Sequence, residues 1–122
     1  MHRLIAISTV FLIACSPAPT LVLTAPVDGA TVCGTPLFID VDLTNYKLIE
    51  FADTEVVAGE GHIDIKLNGQ NRWMTFDPPA EIPQNDDGVY LVEVYLVDAT
   101  HLPIEPNVTD SATITIDNGL CD

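Results

Sequence analysis

Val89-Tyr90-Leu91-Val92-Glu93-Val94-Tyr95-Leu96-Val97 is the most apolar strand-like run of this 122-residue chain. Tyr90, Val92, Val94 and Leu96 fall on one side of it, and Leu91, Glu93, Tyr95 and Val97 on the other. Period-two alternation with β-branched and aromatic residues predicts a strand, and apolar groups on both sides predict a central one. Asn85-Asp86-Asp87-Gly88 precedes it as a turn, and a loop at His101–Pro106 follows. Beyond that loop, residues 111–117 predict the last strand, with Ala112, Ile114 and Ile116 inward and hydroxyls and an acid outward.

Toward the N-terminus the same period recurs. Ile63, Ile65 and Leu67 alternate with His62, Asp64 and Lys66. Asn68-Gly69 then predicts a tight hairpin turn. Residues 72–76 return from it, carrying Trp73, until Asp77-Pro78-Pro79 ends the strand. Residues 20–24, 37–43 and 46–51 complete a set of about seven short strands, and no helical period runs for a useful length. The fold class predicted is all-β: a single antiparallel β-sandwich.

Two stretches carry a resemblance. Ala25-Pro26-Val27-Asp28-Gly29-Ala30-Thr31-Val32, with Gly34 and Pro36-Leu37-Phe38-Ile39, resembles the opening strands of immunoglobulin-like modules of bacterial surface proteins. Gly61-His62-Ile63-Asp64-Ile65-Lys66-Leu67-Asn68-Gly69 resembles a strand and turn that recur in related exported proteins. The resemblance implies an immunoglobulin-like sandwich over residues 21–122. It implies no particular function, because such sandwiches host many roles.

The first residues read differently. Met1-His2-Arg3 is a short positive segment, Leu4–Ile13 is almost wholly apolar, and Leu12-Ile13-Ala14-Cys15 closes it. The apolar run is too short to span a bilayer but fits the core of a signal peptide. The closing tetrapeptide resembles the lipobox of bacterial lipoproteins. That resemblance implies that residues 1–14 are a cleaved signal peptide and that Cys15 carries the lipid. Residues 15–20 would then be the lipidated Cys and a proline-rich, semi-stiff spacer. Ser16 after the Cys implies sorting to the outer membrane of a Gram-negative envelope.

With Cys15 lipidated, Cys33 and Cys121 remain as a pair. An oxidising compartment predicts a disulfide between them. Closing so long a loop stabilises by roughly 4–5 kcal/mol in the chain-entropy picture. Two free thiols or a metal-binding pair are the alternative readings.

The charge is strongly acidic, 18 Asp and Glu against 4 Lys and Arg, for a net −14. Such a surface repels phosphate backbones and disfavours nucleic acid, while attracting cations or basic partners. His62, Asp64 and His101 form a candidate site for zinc or copper if the His101 loop folds over the strand at His62. The other reading has His62 on a solvated face and His101 capping a loop. Asn85, Asp86 and Asp87 offer oxygen ligands for calcium, or form a plain solvated turn. No GxSxG, paired-His zinc motif or phosphate-cradling loop occurs, so no catalytic residue and no resident cofactor is predicted. Acid pairs such as Asp40 and Asp42 share a strand face, which is what a carboxylate-based hydrolase, a further alternative, would start from and what a solvated strand also shows.

These residues predict a non-enzymatic binding or interaction module, attached to the cell envelope through its lipid. Its ligand would be a protein or a glycan, met by the loops and an exposed sheet edge. A metal-binding envelope protein is the alternative.

Overall fold

The computed structural model describes residues 17–122. The signal peptide expected over residues 1–14 and the lipid expected on Cys15 lie outside the described residues. The rest is all-β, with nine strands among the described residues: β1 (Thr20–Ala25), β2 (Thr31–Val32), β3 (Leu37–Thr44), β4 (Lys47–Leu48), β5 (Glu60–Leu67), β6 (Gln70–Thr75), β7 (Ala80–Ile82), β8 (Gly88–Val97) and β9 (Thr109–Ile116). A short 3-10 turn at Asn118–Leu120 follows.

The strands form two sheets. The smaller has the order β1-β3-β7, and the larger runs β2-β9-β8-β5-β4, with β6 paired to the other end of β5. All long pairings are antiparallel, and only the two-residue strands β2 and β4 pair in parallel. β8 is central, as its two-sided apolar pattern predicts, lying between β5 and β9. The inner faces meet in one core. Leu21, Leu23, Leu37, Ile39, Ala80 and Ile82 from the smaller sheet pack against Ile63, Ile65, Leu67, Val92, Val94, Leu96, Ala112, Ile114 and Ile116 from the larger.

Two readings of the strands change. The strand expected over residues 46–51 shrinks to Lys47–Leu48, because Tyr46 turns its phenol inward and the chain then leaves the sheet. β7 was not predicted. It is three residues long and sits between Pro78-Pro79 and Pro83, where its period is too short to read. Trp73, the largest apolar side chain, lies outside the core cluster and is 37% exposed on β6.

The Asn68-Gly69 turn forms as predicted. Both residues have positive φ, 51° and 79°, which is the requirement of a type I′ hairpin.

The two ends of the sandwich are built differently. At one end Cys33 and Cys121 are joined, with Cα atoms 5.0 Å apart, the ordinary separation for a disulfide. Asn85 is buried beside this bridge. Its Nδ2 donates to the carbonyls of Gly34 (2.8 Å) and Ile82 (3.1 Å), and its own carbonyl accepts from Asn118 Nδ2 (2.8 Å). Asn118 N–H donates to Asp87 Oδ1 at 2.8 Å. At the other end Tyr46 Oη lies 2.9 Å from the Glu60 carbonyl and 2.8 Å from that of Val97. The phenol passes over Gly61, where an added Cβ would collide with Val97 O and Tyr46 Oη. Burial, and then the charges of Asp98 and Glu60, push the Tyr46 phenol up to about 12.

Candidate functional site

His62, Asp64 and Lys66 alternate along β5 and so share the outer face of the larger sheet. At the Lys66 position the face is open, and the ammonium lies 4.5 Å from the centroid of the Tyr95 ring. At the His62 position it is covered. The segment after β4 carries Phe51 onto it, and the loop after β8 carries His101. His62 is therefore fully buried. Of the two sequence readings, the solvated face does not form, whereas the His101 loop does fold over His62, as the other reading required, and Phe51 covers it further. The alternation places the side chain on a face and cannot report which loop will cover that face.

The cover is aromatic. Phe51 meets the His62 ring at 4.8 Å and the Phe76 ring at 4.9 Å, both edge-on. The His101 ring lies on His62 at 4.7 Å with only 22° between planes. Asp98 builds the turn that presents His101. Its Oδ1 accepts from Thr100 N–H (2.7 Å), Thr100 Oγ1 (2.6 Å) and Leu102 N–H (3.2 Å). These bonds, those to Thr100 first, hold its carboxyl below the usual range. His101 leaves that turn with φ 64°, a left-handed backbone that costs a non-glycine residue energy and that clusters at functional sites. Its Nδ1–H donates to Asp64 Oδ1 at 3.1 Å.

His62, Asp64 and His101 are thus brought together, but not as metal ligands. Stacked rings carry their nitrogen lone pairs side by side in nearly parallel planes, with no shared point for an ion. Among the described residues no group of three or more His, Cys, Asp or Glu side chains has a ligand arrangement. One polar atom is left over. His62 Nε2 faces the Glu50 carbonyl at 3.5 Å, and Nδ1 is buried without a hydrogen-bond partner among the described residues.

The calcium expectation fails for a different reason. Asn85, Asp86 and Asp87 do not form a hairpin turn, because the segment crosses from β7 in one sheet to β8 in the other. Asn85 points inward and donates from its amide, while Asp87 accepts from the Asn118 backbone, so their oxygens do not converge. Asp40 is likewise used locally, accepting from Val41 N–H at 2.9 Å, and Asp40 and Asp42 line none of the described clefts.

Beside the histidine stack lies a cleft of about 480 Å³. Phe51, Trp73 and Met74 supply its apolar wall, and Asp64, Asn71, Arg72 and His101 its polar groups. Phe51 is 41%, Trp73 37% and Met74 50% exposed. Three large apolar side chains held half in water around one concavity are the usual makings of a contact site. Position 73 was legible in sequence only as a bulky apolar residue. Its exposure follows from the place of β6 at the sheet edge.

No family model and no curated protein sequence matches the chain. A crystal structure of an engineered protein is similar in fold, with a TM-score of 0.52 at 13% sequence identity. The match covers 84% of this chain and 21% of that one. At that identity the likeness speaks for the β fold alone.

Proposed function

We propose that this protein is a lipid-anchored, non-enzymatic binding module of the bacterial envelope, and that the Phe51–Trp73–Met74 cleft is its contact surface. The single observation that carries this is the exposed aromatic cleft beside a histidine held in a strained backbone. A fold gains no stability from keeping Trp73 and Met74 in water, and a ligand that buries them gains about 25 cal/mol per Å² of apolar area. The lipobox-like start and the spacer support the anchoring. Asn45 Nδ2 donates to the Ala18 carbonyl at 3.3 Å, and Thr20 pairs with Thr44, so the spacer joins the sandwich at the end that carries Tyr46 and His101. The arrangement of β1, β3 and β7 against β5, β8 and β9 fits an immunoglobulin-like module, whose two sheets are built from those positions.

The test compares the full-length protein with its Trp73→Ala variant on envelope extracts and on a saccharide array. The expected result is a retained species lost in the variant. An identical retained set for both proteins overturns the cleft as contact surface. Mass spectrometry of the membrane-derived protein tests the anchor, and an unmodified thiol at Cys15 overturns it.

The unpartnered Nδ1 of His62 favours one second reading, a divalent-metal protein. In it His101 would turn out of the stack to admit an ion. Calorimetry with zinc and copper decides, and no heat from either ends that reading.

A further inference from the structure

An antiparallel sandwich must blunt the free edges of its sheets, because unpaired N–H and C=O groups invite another strand. This chain blunts most of them. β2 and β4 are two residues long and β7 three, too short to template a partner. The outer edge of β9 is covered by the segment before β2: Gly29 N–H donates to Thr113 O (2.7 Å), Thr113 N–H to Asp28 Oδ1 (2.7 Å) and Thr115 N–H to Ala30 O (2.9 Å). β1 lies between Pro19 and Pro26, and its Leu23 N–H is taken by Asp110 Oδ2 at 2.8 Å.

β7 leaves residues 40–44 of β3 without a strand on that side, and β6 leaves a whole edge open. β6 is six residues long, exposed along nearly its whole length, and pairs with β5 alone. Among the described residues no other backbone group bonds to its main chain. Leu67 and Gln70 flank the two-residue turn, so they form the hydrogen-bonded pair that closes the hairpin. Alternation from that pair, with the bulge after Asn71, turns Trp73 N–H toward β5 and leaves the N–H groups of Asn71 and Met74 facing out. The same strand supplies Trp73 and Met74 to the cleft.

We propose that the open edge of β6 receives an extended, basic peptide segment as an added strand, with one apolar side chain of that segment seated in the Phe51–Trp73–Met74 cleft. This deepens the reading of the cleft as contact surface and rests on it. Main-chain pairing gives such a complex its affinity, and a pocket for alternate side chains gives its specificity. Charge selects the occupant. The chain carries −14, and Glu50, Asp53 and Glu55 are exposed on the segment that holds Phe51. Arg72, the cation of β6, holds its guanidinium against Gln84 O at 2.6 Å and keeps its charge, which the three acids of the Phe51 segment outnumber. A second copy of the chain would bring like charge to this edge, whereas a lysine- or arginine-bearing segment is drawn to it. A glycan would use the cleft but leave the row of backbone groups unpaired.

The probe is the heptapeptide Lys-Val-Lys-Phe-Lys-Val-Lys, added to the full-length protein in 0.15 M salt, where the Debye length is about 8 Å and long-range attraction is screened. Its twin is N-methylated at alternate residues so that it keeps charge and side chains but cannot pair as a strand, and heptalysine is the charge control. Amide exchange by NMR and binding by calorimetry are the readouts. The proposal expects exchange at Asn71 and Met74 to slow at least ten-fold with the parent peptide. It expects the twin and heptalysine to bind at least ten-fold more weakly, and Trp73→Ala to weaken the parent comparably. Equal binding by parent and twin, with cleft resonances shifting and both amides unprotected, overturns strand addition while leaving the cleft reading intact. Equal binding by heptalysine overturns the apolar anchor. Saccharide binding that depends on Trp73, with no response to the peptide, makes the ligand a glycan. Protection of the two amides that grows with protein concentration alone makes it a second copy. Loss of every response at the cleft, to peptide and saccharide alike, removes both readings.

Discussion

The end of the sandwich around Cys33 and Cys121 and the end around His62 and His101 are made of similar materials to opposite effect. At the first, a buried Asn85 bonds three neighbours and a covalent bridge closes over it. At the second, a buried His62 lacks a partner on one nitrogen among the described residues, His101 holds a left-handed backbone, and Phe51 stands partly in water. Satisfied polar groups hold a structure in one arrangement. Unsatisfied and strained ones mark the places where a fold departs from its own best stability, and such departures gather at functional sites. The difference assigns holding to one end and contact to the other.

The largest expected effect tests the holding end. Replacing both Cys33 and Cys121 with Ser lowers unfolding stability by about 4–5 kcal/mol, measured in urea against the oxidised protein. A loss of under about 1 kcal/mol would mean that the Asn85 network holds this end alone. Next, Asn85→Ala strands the carbonyls of Gly34 and Ile82 and costs about 1–3 kcal/mol in the same measurement. The matching polar-to-apolar change at the other end, His62→Leu, removes an atom that already lacks a partner. Its expected cost is below about 1 kcal/mol, or a slight gain. A loss as large as that of Asn85→Ala would break the comparison by showing that His62 is fully satisfied.

A further effect is one of pH. The Tyr46 phenol keeps its proton more tightly folded than unfolded, so above pH 10 the unfolded chain releases a proton that the folded one retains. The contribution of Tyr46 to stability is therefore level below pH 10 and falls between pH 10 and about 12. Urea midpoints across that range check it, and Tyr46→Phe should remove its share of the slope.

Much of the sandwich was legible because long strands write their period plainly. The Asn-Gly turn forms where it was expected, and β5, β8 and β9 bury the residues that alternation selected, Tyr90 only in part. The short strands β2, β4 and β7 span at most one full period, so only pairing with neighbours defines them. The candidate site was legible in part. Sequence reasoning grouped His62, Asp64 and His101, and they do meet, but as a ring stack and a hydrogen bond. Nothing local signals that Phe51 will roof His62, since that contact depends on where a strand stops and its chain lifts off. The positive φ of His101 has no mark in the sequence beyond an Asp three positions earlier. Trp73 was visible as a residue and invisible as a surface, because exposure at an edge is a property of the sheet.

Gly61 carries a consequence for inheritance. The Tyr46 phenol and the Val97 carbonyl occupy the space where any side chain at position 61 would begin. Giving up the ring at position 46 would not free position 61, because the Val97 carbonyl and the Asp98 Cα belong to the main chain and stay in the way. Descendants of this chain should therefore keep glycine at position 61 whatever position 46 comes to carry, so that 46 drifts while 61 stands still.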